Sequence, residues 1–303
     1  MKVTNPNSSK NQIEVEISTN ELQMLETALS YSFRSLNQKD IETFFGENLE
    51  INDLIFDVRN ALREHEKSQP ELPPNEQLRS LVTKFKKWIS DNYSEEQIQN
   101  NLIDDAGYPD WGEIENHFAK ILKNNWLSIL DKDDKINLLY LVARNWDIGS
   151  LIGWFSSEKP LSTLGDLSDE DFVELGKTVS QLQQPEFEEA KFQFASSFKK
   201  FDELSPEIEE ILLTIYQSRD EYSRRHALIS LAKLGYKDIR ELLNKSWETE
   251  EEEHHKIDCL RAINEYVKDE DLLNEYLIKA TFDGREEISK YVAEIKSQKN
   301  FTL

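Results

Sequence analysis

Glycine and proline are scarce in this 303-residue chain, nine and eight in number. A fold dense in β-turns needs more of both, so the shortage argues against an all-β architecture. The one cysteine, Cys259, has no partner for an internal disulfide, which fits a reducing compartment and predicts a cytoplasmic protein. No run of about 18 apolar residues occurs, so no membrane-spanning helix is expected. The first ten residues are polar and lack the apolar core of a secretory signal, so none is expected. The phosphate-loop patterns G-x-G-x-x-G and G-x-x-x-x-G-K-[ST] are absent. So are H-E-x-x-H, a paired C-x-x-C and the G-x-S-x-G elbow. The sequence therefore assigns no catalytic residue, no cofactor and no metal ligand, and the chain is expected not to be an enzyme.

Charge of one sign is abundant. Asp and Glu number 59 against 36 Lys and Arg, giving a net charge of −23, and the acidity falls in every third of the chain. A field of that sign repels phosphate backbones and anionic lipid, so neither nucleic acid nor a membrane is an expected partner. It favours a basic protein partner and speeds its capture at low salt. Solubility alone also accounts for net charge, and both explanations stand at this point. Charged residues make up 31% of the chain, which together with few turn formers reads as an α-helical protein.

Residues 1–11 are polar and rich in Asn and Ser, the composition of a disordered tail. Residues 12–67 read as a small N-terminal module. There Ile13, Val15 and Ile17 alternate with polar residues, which predicts one short strand. Helices are predicted from about Glu21 to Ser35 and from about Asn52 to Glu66. Three prolines, Pro70, Pro73 and Pro74, mark a linker over 68–75, because none can continue a helix. A central helical region is expected over 76–203, with five of the six tryptophans between Trp88 and Trp154. Its clearest helix start is Ser168, a cap followed by the acids Asp169, Glu170 and Asp171.

Over 204–303 the pattern repeats. Ala227-Leu228, Leu231 and Leu234 recur 32 residues later as Cys259-Leu260, Ile263 and Tyr266, and again in part as Tyr291-Val292 and Ile295. Each set is one helical face, because positions i, i+1, i+4 and i+7 lie together. One helical hairpin cannot bury its own apolar face, so such units stack. With Arg225 and Gly235, this pattern resembles HEAT repeats of the short bacterial form. The second copy departs from it, with Tyr266-Val267 where the first has Leu234-Gly235. The resemblance implies an all-α fold: an α-solenoid of HEAT-like hairpins with a small N-terminal module. Farther upstream, Glu21-Leu22, Leu25, Ala28-Leu29 and Phe45-Gly46 resemble a small module of bacterial proteins, some of which look like immunity factors of toxin systems. That resemblance implies a protein that occludes a basic toxin or nuclease domain. A general HEAT-like adaptor is the alternative. HEAT-fold enzymes such as glycosylases and bilin lyases are a further one, disfavoured by the acidic charge and by the lack of a recognisable bilin site.

Three clusters carry candidate chemistry. Glu248, Glu250, Glu251, Glu252 and Glu253 crowd the junction between two predicted helices. A solvated loop accounts for them, and so does a contact patch for Lys or Arg on a partner. His254, His255 and Cys259 are metal-like in type, but Cys259 falls on the core stripe and two further zinc ligands are missing. Asp131, Asp133 and Asp134 suggest calcium only superficially. They lack the glycine and distal glutamate of a calcium loop and read as the acidic start of a helix.

Overall fold

The computed structural model describes residues 2–7, 12–16, 72–99, 102–145, 149–156 and 168–299. The chain divides into two units, Met1–Leu72 and Pro73–Leu303. The division falls within the proline-rich stretch at 68–75.

In the first unit, β1 (Lys2–Asn7) pairs antiparallel with β2 (Gln12–Glu16). Val3 lies opposite Val15 and Pro6 opposite Ile13, with an irregularity between Val3 and Asn5. The alternating segment at Ile13 and Val15 is therefore a strand. Its partner lies in residues 2–7, which composition alone marked as a disordered tail. A strand must pair its backbone groups, and polar side chains do not prevent that. The predicted helices at 21–35 and 52–66, and the Phe45-Gly46 element, lie outside the described residues.

The second unit is helical. Its described residues form α1 (Pro74–Asn92), α2 (Glu95–Gln99), α3 (Trp111–Lys123), α4 (Lys132–Arg144), α5 (Ser150–Ser156), α6 (Asp169–Ser180), α7 (Glu188–Ser197), α8 (Pro206–Tyr216), α9 (Glu221–Lys233), α10 (Ile239–Thr249), α11 (Glu253–Arg261), α12 (Glu270–Asp283) and α13 (Glu286–Lys299). Local chemistry explains the starts. Side chains of Asp131, Ser168, Ser205, Asp220 and Asp269 each accept a backbone N–H three residues on, at the heads of α4, α6, α8, α9 and α12. Pro74 and Pro206 occupy first-turn positions, where the missing N–H is harmless.

The helices pair as α6–α7, α8–α9, α10–α11 and α12–α13. The second helices touch in chain order: α4 on α7, α7 on α9, α9 on α11, α11 on α13. Buried hydrogen bonds cross this row, from Gln193 Nε2 to the Val142 carbonyl at 3.2 Å and from Ser230 Oγ to the Ala195 carbonyl at 2.6 Å. No break in packing accompanies the change at 203/204, since α6 packs on α8 and α7 on α9 across it. The recurring stripe is core. Ala227, Leu228, Leu231, Cys259, Leu260 and Ile263 are fully buried, as are Val292 and Ile295 nearly so, while Tyr266 and Tyr291 are half-buried.

The two better copies end differently. After α9, Gly235 turns left-handed at φ 76° and Tyr236 N–H reaches the Leu231 carbonyl at 2.9 Å. The second copy has Val267 at the matching position and no glycine. There α11 widens into a π turn over Ala262–Val267, which shifts the left-handed position one residue on, to Lys268 at φ 55°. Lys268 N–H then closes onto the Ile263 carbonyl at 2.8 Å, the same span as in the first copy.

Candidate functional site

The five glutamates singled out in the sequence do not form one surface. Glu248 lies exposed near the end of α10. Glu250 caps that helix, and its carboxylate turns inward to Arg224 of α9. Arg224 Nε donates to Oε1 at 2.7 Å and Nη2 donates to Oε2 at 2.7 Å. This fork holds the Glu250 carboxyl below its ordinary range and leaves its side chain 14% exposed. Glu251 and Glu252 are exposed, and Glu253 is half-buried in the first turn of α11. Arg285, between α12 and α13, donates to the Glu251 carbonyl and to the Asp283 carboxylate. Lys256 adds a second cation to Asp283 at 3.1 Å. Arg285 first, and Lys256 with it, hold the Asp283 carboxyl far below its ordinary range. The junction is thus partly a set of clamps between neighbouring hairpins. Glu250 belongs to the clamps, and Glu248, Glu251 and Glu252 remain as outward charge.

The other candidates resolve locally. His255 is fully buried, with Nδ1 3.0 Å from Glu221 Oε1, and Cys259 sits in the core, where burial pushes its thiol far up. His254 points to solvent. Among the described residues no three His, Cys, Asp or Glu side chains converge as a metal set. Asp131 caps α4, and Arg79 of α1 bridges to Asp131 at 2.9 Å and to Asp134 at 2.6 Å, so these acids join two helices. Trp111 is buried and donates Nε1–H to the Asp105 carbonyl at 2.7 Å, and Trp247 is buried against Tyr276. Trp88 and Trp126 are half-buried against the core. The side chains of Trp146 and Trp154 lie outside the described residues. Among the described residues no helix is long and apolar enough to cross a membrane.

The structure brings together a group that the sequence did not single out. Glu188, Glu189 and Phe192, on the first turns of α7, meet Asp220 and Tyr222 at the head of α9. They line an open cavity of about 280 Å³. The rings of Phe192 and Tyr222 meet edge to face, with centroids 4.9 Å apart. His226, one turn on, lies 4.9 Å from Tyr222 and 5.6 Å from Phe192. Burial, and then Lys199 and Arg225 nearby, push its imidazole down to about 4, so it is neutral at pH 7.

Two carboxylates of this cavity, those of Glu188 and Asp220, are fixed by the frame behind them. Glu188 Oε1 accepts from Lys191 at 2.8 Å and Oε2 accepts from Ser218 at 2.5 Å. Asp220 Oδ2 accepts the Ser223 N–H at 2.6 Å as the cap of α9. Ser223 Oγ in turn donates to the Glu188 carbonyl at 3.1 Å, tying α9 to α7. Arg225 lies over the Tyr222 ring, 4.3 Å from its centroid. The sequence signal is two short acidic–aromatic runs, Glu188-Glu189 with Phe192 and Asp220-Glu221 with Tyr222, some thirty residues apart, and only the α7–α9 contact joins them. A second cavity of about 450 Å³ lies between α4 and α6, lined by Lys132, Lys135, Glu174 and Thr178 among others, and there Lys135 already pairs with Glu174 at 2.6 Å.

Compared with known protein families, with curated proteins and with solved structures, the chain matches none of them.

Proposed function

We propose that this chain is a non-enzymatic binding protein whose partner is a basic protein. The observation that carries the reading is the acidic, aromatic-walled cavity between α7 and α9, set in a chain of net charge −23. Carboxylates beside aromatic rings suit cationic side chains, and a field of one sign guides such a partner inward. The row of second helices in chain-order contact, and the buried 32-residue stripe, support a HEAT-like solenoid as the scaffold. The specific role we propose is that of a bacterial immunity protein in the cytoplasm that occludes a toxin domain. It rests on the N-terminal resemblance at Glu21-Leu22, Leu25, Ala28-Leu29 and Phe45-Gly46. A general adaptor on the same scaffold would share the surface and lack the toxin.

Affinity capture with the full chain from its native host, eluted in salt steps, tests the reading. A basic protein should be retained at about 50 mM salt and released well before about 500 mM, because screening shortens the reach of exposed charges. Inhibition of a captured toxin should titrate to completion near equal molar amounts if binding is nanomolar. Retention only of acidic proteins, or affinity that is flat with salt, would sink the basic-partner claim. Steady destruction of the partner at substoichiometric dose would reveal an enzyme.

A further inference from the structure

We propose that the seam between α9 and the end of α7 seats one carboxylate of the protein partner, bound by the ammonium groups of Lys199 and Lys233 and by the N–H of the His226 imidazole. The proposal rests on the binding-protein reading and adds to it a contact of opposite sign.

Three contacts run in step along this seam. Phe192 meets His226 with ring centroids 5.6 Å apart, Ser230 Oγ donates to the Ala195 carbonyl, and Lys233 Nζ donates to the Lys199 carbonyl. Positions 226, 230 and 233 share one side of α9, and 192, 195 and 199 follow the same helical spacing on the facing element. Lys199 sits in the turn Phe198–Lys200 that extends α7, and α9 packs on that turn. Packing thus gathers an imidazole and two ammonium groups, the lysines being 34 residues apart in sequence.

These groups have no counter-charge of their own. Among the described residues no carboxylate pairs with Lys199 or Lys233, and neither ring nitrogen of His226 has a hydrogen-bond partner. The bond from Lys233 goes to a neutral carbonyl and uses only part of its donor capacity. The carboxylates nearby are held by other groups. Asp258 bonds Arg261 and lies 3.4 Å from Arg225, Glu265 lies 4.0 Å from Arg261, and Glu221 is shared by His255 and Arg225. Lys199 is half-buried. Burial first, and the Lys233 charge second, push its ammonium below its ordinary range. A partly desolvated cation beside a second cation is unfavourable, and an anion set between them relieves both.

A carboxylate suits this set because it only accepts hydrogen bonds and all three groups can donate. Bonds between ionised partners are also the stronger ones. The net charge of −23 does not prevent the contact. At about 0.1 M salt, charges beyond about 10 Å are largely screened, and the nearest ones decide. The contact adds selectivity, since a basic partner without a carboxylate here meets like charge.

Titration of the full chain at about 0.1 M salt with two short probes tests the assignment: acetyl-Gly-Glu-Gly amide, and the same peptide with glutamine, which keeps the shape and removes the charge. Binding is read by calorimetry and by ligand-observed NMR. The glutamate peptide should bind in the millimolar range and the glutamine peptide undetectably. Lys199→Met and Lys233→Met should each weaken the glutamate peptide by about fivefold, and His226→Phe, which keeps a ring and removes the N–H, by about threefold. Lys123→Gln, at an exposed position on α3, removes the same charge elsewhere and should leave binding unchanged. Thermal melts check the fold, and Lys233→Met, at an exposed position, carries the test alone if Lys199→Met does not fold. Equal binding of the two peptides would overturn the carboxylate assignment. No binding, or binding indifferent to both lysine substitutions, would overturn the seat. The probes need no natural partner, so the two proposals fail separately. Glutamate-peptide binding without any basic protein in the capture experiment would sink the proposed function alone. A captured basic partner whose affinity ignores Lys199→Met and Lys233→Met would sink this inference alone.

Discussion

Arg224 and Glu250 face each other across 26 residues of sequence and share two hydrogen bonds of 2.7 Å. Arg224 also donates Nη1 to the carbonyls of Ser218 and Arg219, so one guanidinium fastens the α8–α9 turn and the α10–α11 turn together. Both side chains are mostly shielded, at 22% and 14% exposure. A fork of this kind adds geometric definition to the charge attraction.

Glu250→Gln should therefore destabilise the protein by roughly 1–3 kcal/mol, since a half-buried guanidinium loses its counter-charge. Glu251→Gln and Glu252→Gln should fall within about 0.5 kcal/mol of the parent. Urea melts of the three variants check this. Equal effects at all three positions would mean the fork contributes nothing in solution. It follows that a test of the outward charge at this junction should replace Glu248, Glu251 and Glu252 and leave Glu250 in place.

Gly176, on α6, should not tolerate alanine. A Cβ there would sit 2.6 Å from Phe198 Cζ and 3.0 Å from its Cε2. Phe198 is fully buried with its ring 5.2 Å from Phe172, so it has no room to swing away. Helix propensity favours alanine by about 1 kcal/mol, and overpacking of a tight core costs about 1–3 kcal/mol. We expect Gly176→Ala to be destabilised on balance. A raised melting temperature would show that the ring accommodates the methyl group.

Leu231→Ala and Ile263→Ala should each cost roughly 2–5 kcal/mol, because both side chains are fully buried on the row of second helices. Leu102→Ala makes the contrast. Leu102 is 64% exposed, and its truncation should change stability by about 0.5 kcal/mol at most. Comparable losses at all three positions in denaturant melts would contradict this assignment of the core.

Acid should weaken the fold before the carboxylates titrate. His117 of α3 is buried, which pushes its imidazole down to about 4 while its Nε2 lies 3.0 Å from the Pro74 carbonyl. An unfolded chain takes up a proton near pH 6.5 and the folded chain does not until near pH 4. Stability is then lost as pH falls through that window, by up to about 1.4 kcal/mol per pH unit for one such group. His226 acts in the same direction. Asp258, raised by burial, opposes it at the acid end. Melts at pH 7, 5.5 and 4.5 should show the decline, with a shallower slope in His117→Gln even though that variant loses a buried contact at pH 7. An identical slope in the variant would place the proton uptake elsewhere.

Part of this molecule is legible from neighbouring residues alone. Caps at Asp131, Ser168, Ser205, Asp220 and Asp269 bond only three residues away, and the apolar face through Leu228, Leu231 and Ile263 follows from helical spacing. Such short-range rules therefore determine the helical class and much of the core. Tertiary structure decided what each surface charge does. Glu250 and Glu251 are adjacent acids in sequence, yet one is clamped by Arg224 and the other faces solvent, because the clamping cation comes from a different hairpin. Residues 2–7 read as a polar tail and pair with β2, because strand pairing is a matter of backbone groups meeting between strands. The cavity at Phe192 and Tyr222 exists only because α7 and α9 pack side by side. A contact between residues thirty positions apart has no local signature, since its energy comes from surfaces that meet only after the chain has folded.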